Sequence, residues 1–204
     1  MPLTRTRITL AGALLLALST LAHAQATTAQ ATTWKIDPAH SQAGFVIRHM
    51  GISNVHGRFG NVNGEITLDP RDLTKANVNA TIDTTTVDTG TPQRDTHLKS
   101  ADFFDVTKYP TMTFASRTIS HSGDDYTVVG DLTLHGVTKS VILHMDAPSK
   151  EQTGMEGKLH RGFSASTTIH RQDFGLVWNG TLKSGDQMIG DDVKVTLEIE
   201  AIKQ

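Results

Sequence analysis

The chain has 204 residues, with 19 basic and 21 acidic side chains and no cysteine. Charge that is nearly balanced and not gathered into long basic runs argues against a protein that follows a nucleic-acid backbone. Without cysteine there is no disulfide framework, so a packed apolar core must hold the domain together.

The N-terminal segment predicts a secretory signal peptide over residues 1–24. Arg5 and Arg7 precede an apolar run at 8–18, and Ala22-His23-Ala24 places small residues where a signal peptidase cleaves. This run is shorter than the roughly 20 residues that span a bilayer, so we do not expect an integral membrane protein. Residues 25–33 are expected to form a flexible spacer before one domain at 34–204.

Alternation of apolar and polar residues predicts a domain built from strands. The pattern is clearest at 77–83 and 193–201, and it recurs at 42–50, 62–69, 111–119, 126–135, 137–146 and 158–169. Short turn signals such as Asp69-Pro70 favour antiparallel neighbours. We therefore predict an all-β fold, an eight-stranded antiparallel barrel, because closure removes exposed strand edges. A two-sheet sandwich is the alternative.

Residues 91–105 interrupt the strand pattern and predict a short helical insertion. Pro92 suits the first position of a helix, and Thr91 is a candidate cap. A second turn beginning at Ser100 would bring the aromatic pair 103–104 alongside. We expect functional residues near this insertion.

Several motifs resemble the YceI-like family of bacterial periplasmic proteins. They are Asp37-Pro38-Ala39-His40-Ser41, Gly57-Arg58-Phe59, Arg94-Asp95-Thr96-His97-Leu98-Lys99-Ser100, the run 130–139 and Arg171-Gln172-Asp173-Phe174-Gly175. The resemblance spans roughly residues 33–202. It implies a lipocalin-like barrel around an apolar tunnel, a periplasmic location, and an isoprenoid lipid ligand such as a quinone or a polyprenyl phosphate. It is also compatible with a homodimer.

Given this resemblance, the larger apolar side chains are candidates for a tunnel wall that binds the lipid chain. The candidates are Phe45, Ile47, Leu98, Phe103, Phe104, Phe114, Leu132, Leu134, Phe163, Phe174 and Trp178. The alternative for each is an ordinary core position, since buried aromatic residues are mainly core material.

A set of polar residues is expected to form a rim that meets the ligand's head group. It consists of His40, His49, Arg94, Asp95, His97 and Lys99. Arginine and lysine suit a phosphate, whereas histidine suits a quinone carbonyl. The alternative is an internal Arg94–Asp95 network that only attaches the helix to the barrel.

The resemblance implies a protein that sequesters or transports lipid, and the motifs of the chain favour this interpretation over an enzyme. No P-loop, dinucleotide or serine-hydrolase signature is present. An enzyme would use His97 with Asp95, or His40 with Asp37, as general acid or base. A stress-induced partner-binding module is a third hypothesis. The histidines lack the close spacing of zinc ligands, so we expect no metal and no cofactor besides the lipid.

Overall fold

The computed structural model describes residues 30–204, which form eleven strands and one α-helix. The predicted signal peptide and residues 25–29 of the spacer lie outside the described residues. The strands are β1 Thr32–Ile36, β2 Gln42–His49, β3 Ser53–Phe59, β4 Val62–Asp69, β5 Asp72–Asp83, β6 Thr111–Ser122, β7 Asp125–Leu134, β8 Val137–Asp146, β9 Gln152–Thr153, β10 Leu159–His170 and β11 Ile189–Lys203. The helix α1 is Pro92–Lys99, and 3₁₀ turns occur at Thr84–Thr86 and Arg171–Phe174.

Eight of these strands close into an antiparallel barrel. Their order around it is β11, β1, β4, β5, β6, β7, β8 and β10, and β10 pairs back to β11 from His160 to His170. The predicted eight-stranded antiparallel barrel is therefore confirmed, and the sandwich alternative is wrong.

The strand count exceeds eight because two positions in the wall are each shared by two strands and because the short β9 pairs with the start of β10. β1 and β2 lie end to end along one edge of β11, and residues 37–41 bulge out between the pairs Ile36–Ala201 and Gln42–Glu198. Ser41 stabilises this bulge, since its Oγ accepts a hydrogen bond of 3.0 Å from the Glu200 backbone N–H. β3 pairs with β2 and β4 pairs with β1 in the same way.

Sequence alternation did not identify β1, β3 or the two-residue β9. β3 has only one buried residue, Phe59, and a glycine at position 57, so its alternation is weak. In β1, Thr32 and Thr33 pair with Leu68 and Thr67 of β4, which places the last two residues of the proposed spacer in the sheet.

The seam between β8 and β10 is the weakest junction of the barrel. These strands share only the pairs Met145–Ala165 and His144–Ser166. By contrast, β7 and β8 pair continuously along their whole length. An outer groove opens where β8 and β10 separate, and Val141 belongs both to this groove and to the wall of the interior cavity.

The helical insertion is present where the sequence predicts it. α1 begins at Pro92, but Thr91 makes no side-chain cap bond, because its Oγ1 accepts instead from Arg94 Nη2 at 3.1 Å. Turns follow the helix as far as Lys108. We call residues 91–105 the lid, and the end of the barrel that it contacts the lid end.

Two clusters of buried side chains stabilise the barrel. The cluster far from the lid contains Trp34, Ile36, Val62, Ile66, Leu68, Phe163 and Ala201. The cluster at the lid end contains Ala43, Phe59, Val87, Met112, Leu134, Phe174 and Leu176. Within residues 30–204, no helix has the length and apolar character needed to cross a bilayer.

Candidate functional site

A cavity of about 440 Å³ occupies the interior of the barrel. This volume falls within the roughly 300–1,000 Å³ typical of small-molecule sites. Every barrel strand contributes to the wall, because alternate residues of each strand point inward. On β11, for example, Val193, Val195 and Leu197 line the cavity, whereas Lys194 and Thr196 are exposed.

Most of the apolar side chains predicted to bind the ligand do line this cavity. They are Phe45, Ile47, Leu98, Phe103, Phe104, Phe114, Leu132, Leu134, Phe163 and Trp178. Phe174 does not belong to the cavity wall: it lies in the 3₁₀ turn after β10 and is buried in the lid-end cluster. The prediction that Phe174 lines the tunnel is therefore corrected: Phe174 is a core residue.

Aromatic rings close the wall at the lid end. Phe104 meets Phe59 edge-on with ring centroids 5.2 Å apart, and Phe59 lies 5.5 Å from Phe45. The neighbouring ring of Phe103 turns to Trp178, at 5.1 Å. Both members of the 103–104 pair therefore reach the cavity, each through a different contact.

His97 joins this aromatic group from α1. Its imidazole is edge-on to both Trp178 and Phe103, at centroid distances of 4.9 and 5.0 Å. Its Nε2 lies 2.8 Å from Asp102 Oδ2 in the following turn. The suggested pairing of His97 with Asp95 is therefore wrong, because Asp102 occupies the position next to the ring.

Asp95 and Arg94 instead meet through Thr89. The Thr89 backbone N–H donates to Asp95 Oδ1 at 2.9 Å, and the Thr89 hydroxyl donates to the same oxygen. Arg94 Nε donates to Thr89 Oγ1 at 2.7 Å, and its Nη2 donates to Thr89 O and to Thr91 Oγ1. Arg94 and Asp95 therefore belong to an internal network, the alternative to a rim, with Thr89 between the two charges.

The predicted rim residues separate into two groups. His49, Arg94 and His97 line the cavity, whereas His40, Asp95 and Lys99 do not. Asp95 is held by Thr89, and His40 lies on the loop between β1 and β2 with two-thirds of its side chain exposed. A head-group role for these three residues stays a prediction, since none of them lines the cavity in this structure.

His40 and Asp37 form the pair that the enzyme hypothesis suggested. His40 Nδ1 lies 2.7 Å from Asp37 Oδ2. The bond to Asp37 raises the pKa of His40, and the hydrogen bonds from His40 and from the Ala39 backbone lower the pKa of Asp37. The pair lies outside the cavity.

Arg171 is a wall residue that the candidate list missed. It starts the 3₁₀ turn that follows β10, and the turn ends at Gly175, whose φ of 78° suits glycine. The segment that follows stays at the lid end, where Arg171 Nη1 donates to the carbonyls of Leu176 and Trp178. An arginine directly after an apolar alternating strand was the signal that could have identified it.

Comparison with known proteins places the whole domain in one family. The YceI-like domain matches residues 34–201. The protein YceI of Shigella flexneri is 36% identical over 178 residues, which cover 86% of this chain and 90% of that protein. The crystal structure of Campylobacter jejuni YceI matches with a TM-score of 0.65 and 31% identity, over 77% of this chain and 90% of that one.

A further structure shows the same fold at lower identity. It is a polyisoprenoid binding domain from Saccharophagus degradans, implicated in plant cell wall breakdown, with a TM-score of 0.59 and 17% identity. The match covers 86% of this chain and 100% of that domain. This likeness shows that the two chains share a barrel fold.

Proposed function

The chain belongs to the YceI-like family, and from this membership and its apolar interior cavity we propose that it binds the hydrocarbon chain of an isoprenoid lipid. The main support for this proposal is the cavity wall, to which every barrel strand contributes apolar side chains. The fold that it shares with a domain described as polyisoprenoid binding supports the same ligand class.

Desolvation supplies the binding free energy in this proposal. Burying a methylene group contributes about 0.8 kcal/mol, so ten of them contribute about 8 kcal/mol before the cost of ordering the chain. A branched isoprenoid chain needs no specific polar contact along its length. Specificity then depends on the shape of the wall and on the polar groups at the lid end.

We place this activity in the periplasm, on the basis of the predicted signal peptide and the family resemblance. There the protein would sequester an isoprenoid lipid or carry it between a membrane and an enzyme. Fractionation of the expressing bacterium and N-terminal sequencing of the recovered protein test this location, and Gln25 is the expected first residue. A homodimer stays a prediction from the resemblance, to be tested by analytical ultracentrifugation.

A binding role agrees with the cavity better than catalysis does. The described residues that line it include no serine, cysteine, lysine or carboxylate, so histidine and threonine are the side chains left to act as base or nucleophile. The His97–Asp102 contact is the observation that favours a second candidate, an enzyme acting on the bound lipid. In that case His97→Ala would abolish product formation while the lipid still bound.

Native mass spectrometry of the purified protein, followed by extraction and identification of the bound lipid, tests the proposal. We expect one isoprenoid lipid per cavity. Leu132→Trp fills the cavity and should prevent binding, whereas Ile142→Trp, at an exposed position of the adjacent strand, should not. An empty wild-type protein that also takes up no added isoprenoid would refute the proposal.

A further inference from the structure

The polar part of the cavity wall carries positive charge without a matching negative charge. Among the described residues, the polar side chains that line the cavity are Arg48, His49, Thr89, Arg94, His97, Thr167 and Arg171. None of them is a carboxylate. An apolar cavity with only cationic and neutral polar groups favours a ligand that brings its own negative charge.

Most of these groups already have protein partners. Arg94 is held by Thr89 and Thr91, and His97 contacts Asp102. Arg48 is exposed and donates to Asn54 Oδ1 and to the Gly51 carbonyl. His49, Thr167 and Arg171 remain, and of these three only arginine is a permanent cation.

Arg171 is 3% exposed and holds its guanidinium in a fixed position. Nε donates to the Gly190 carbonyl at 2.9 Å, and Nη1 donates to the Trp178 carbonyl at 2.9 Å and to that of Leu176. Nη2 is buried and has no hydrogen-bond partner among the described residues. A buried charged donor without an acceptor is costly, so this nitrogen needs an acceptor that the chain itself does not provide.

Asp191 is the carboxylate that acts electrostatically on Arg171, and it already has other partners. Asp191 accepts a hydrogen bond of 3.0 Å from the Gln172 backbone N–H, and it lies 3.7 Å from His170 Nδ1. Burial lowers the pKa of the Arg171 guanidinium and Asp191 opposes this effect. Arginine nevertheless stays protonated at neutral pH, because its ordinary pKa is so high.

We propose that Arg171 Nη2 binds the anionic head group of the ligand, a phosphate or a carboxylate, inside the barrel beside Trp178. This inference rests on the proposed function, since it assigns the head group of the same lipid. An oxyanion would complete the guanidinium's hydrogen bonds and neutralise its charge in an apolar setting. The head group would then lie inside the wall and not at the outer rim that contains Lys99.

Ligands that share one geranylgeranyl chain and differ in head group distinguish the contribution of the head group to affinity from that of the chain. The probes are geranylgeranyl phosphate, geranylgeranoic acid, geranylgeraniol and a quinone bearing the same chain, each titrated into the delipidated wild-type protein. We expect one or both anions to bind at least about tenfold more tightly than the alcohol, as charge-assisted hydrogen bonds are stronger than neutral ones. The anion that binds more tightly identifies the source of the oxyanion.

Two other outcomes are distinguishable. If the alcohol or the quinone binds as tightly as both anions, the inference about Arg171 is overturned while the lipid-binding function stands. If none of the probes binds, the proposed function fails with it.

Substitution of Arg171 needs a supporting measurement, because its bonds to the carbonyls of Leu176 and Trp178 also hold the segment 175–178. Arg171→Gln should abolish the preference for the anion if it folds, whereas Arg117→Gln, which removes an exposed cation on β6, should preserve it. In the wild-type protein, nitrogen-15-labelled arginine should show a guanidinium shift at Arg171 with geranylgeranyl phosphate and none with geranylgeraniol. The inference is wrong if the phosphate shifts Arg94 or Arg48 and leaves Arg171 unchanged.

Discussion

Gly57 of β3 lies directly opposite Phe45 of β2, and a Cβ at position 57 would fall 2.2 Å from Phe45 Cζ. The ring of Phe45 therefore covers the glycine and is kept at the cavity wall by the absence of a side chain there. A glycine in a strand is often explained by such a close approach of another group.

The first prediction concerns this contact. Gly57→Ala should displace the Phe45 ring, lower the free energy of unfolding by about 1–3 kcal/mol as overpacking does, and weaken lipid binding. Gly60→Ala is the matched control, because a Cβ at position 60 meets no atom within 4 Å. Urea unfolding of both variants measures the difference, and equal stabilities would contradict the role assigned to Gly57.

The second prediction concerns Trp178, which packs against His97 and Phe103. Trp178→Ala removes both ring contacts, each worth about 0.5–1.5 kcal/mol beyond burial, and should loosen the lid. We expect the bound lipid to dissociate faster, as measured by stopped-flow transfer to acceptor vesicles. Val177→Ala, at an exposed neighbouring position, should leave the rate unchanged, and equal rates for both variants would count against the lid.

The third prediction is a pH dependence at the His40–Asp37 pair. Because the pKa of His40 is raised in the folded chain, its contribution to stability is complete below the ordinary value of 6.5 and is lost as the pH rises through the raised value. The pKa of Asp37 is lowered, so its contribution is present above the ordinary value of 3.8 and is lost as the pH falls through the lowered value.

A proton NMR titration of the His40 ring measures this effect. The midpoint should lie above 6.5 in the wild-type protein and should fall in Asp37→Asn. Asp88→Asn removes a carboxylate that is bound to Arg58 and the Gly90 backbone, and it should leave the His40 midpoint unchanged. An identical midpoint in the wild-type protein and in Asp37→Asn would show that the pair does not form.

The fourth prediction concerns the seam between β8 and β10. A backbone amide that is paired in a sheet exchanges only after local opening, whereas an unpaired amide lacks this protection. The amides of 137–143 that face β10 should therefore exchange faster than those between β10 and β11. The two strands of the seam share two register pairs, whereas β10 and β11 pair from His160 to His170. Hydrogen exchange with mass spectrometry compares them, and equal protection would mean that the seam is as stable as the rest of the wall.

The sequence predicts the barrel because its inward face is made by strict alternation. Ile199 and Leu197 line the cavity between exposed or half-buried polar residues, and this period is visible without a structure. β3 is different because Gly57 makes room for the ring of Phe45, its partner on β2. This contact becomes visible only when the two strands are paired. A strand whose pattern depends on a partner cannot be recognised from its own residues.

The candidate site shows a similar division. The wall residues follow from hydrophobic periodicity, but the polar groups depend on which loops meet at the lid end. Asp102 reaches His97 because the chain turns immediately after α1, and Thr89 separates Arg94 from Asp95. Arg171 is held by the carbonyls of Leu176 and Trp178 in the segment that follows its 3₁₀ turn, and sequence spacing does not encode that contact.

The bulge at 37–41 lets two strands share one position in the wall without interrupting β11. The segments 84–110 and 171–188 lie outside the continuous sheet, and they supply Thr89, Arg94, His97 and Arg171 to the polar part of the cavity wall. Substitutions in those segments should therefore change the polar groups of the cavity and leave the strand register intact.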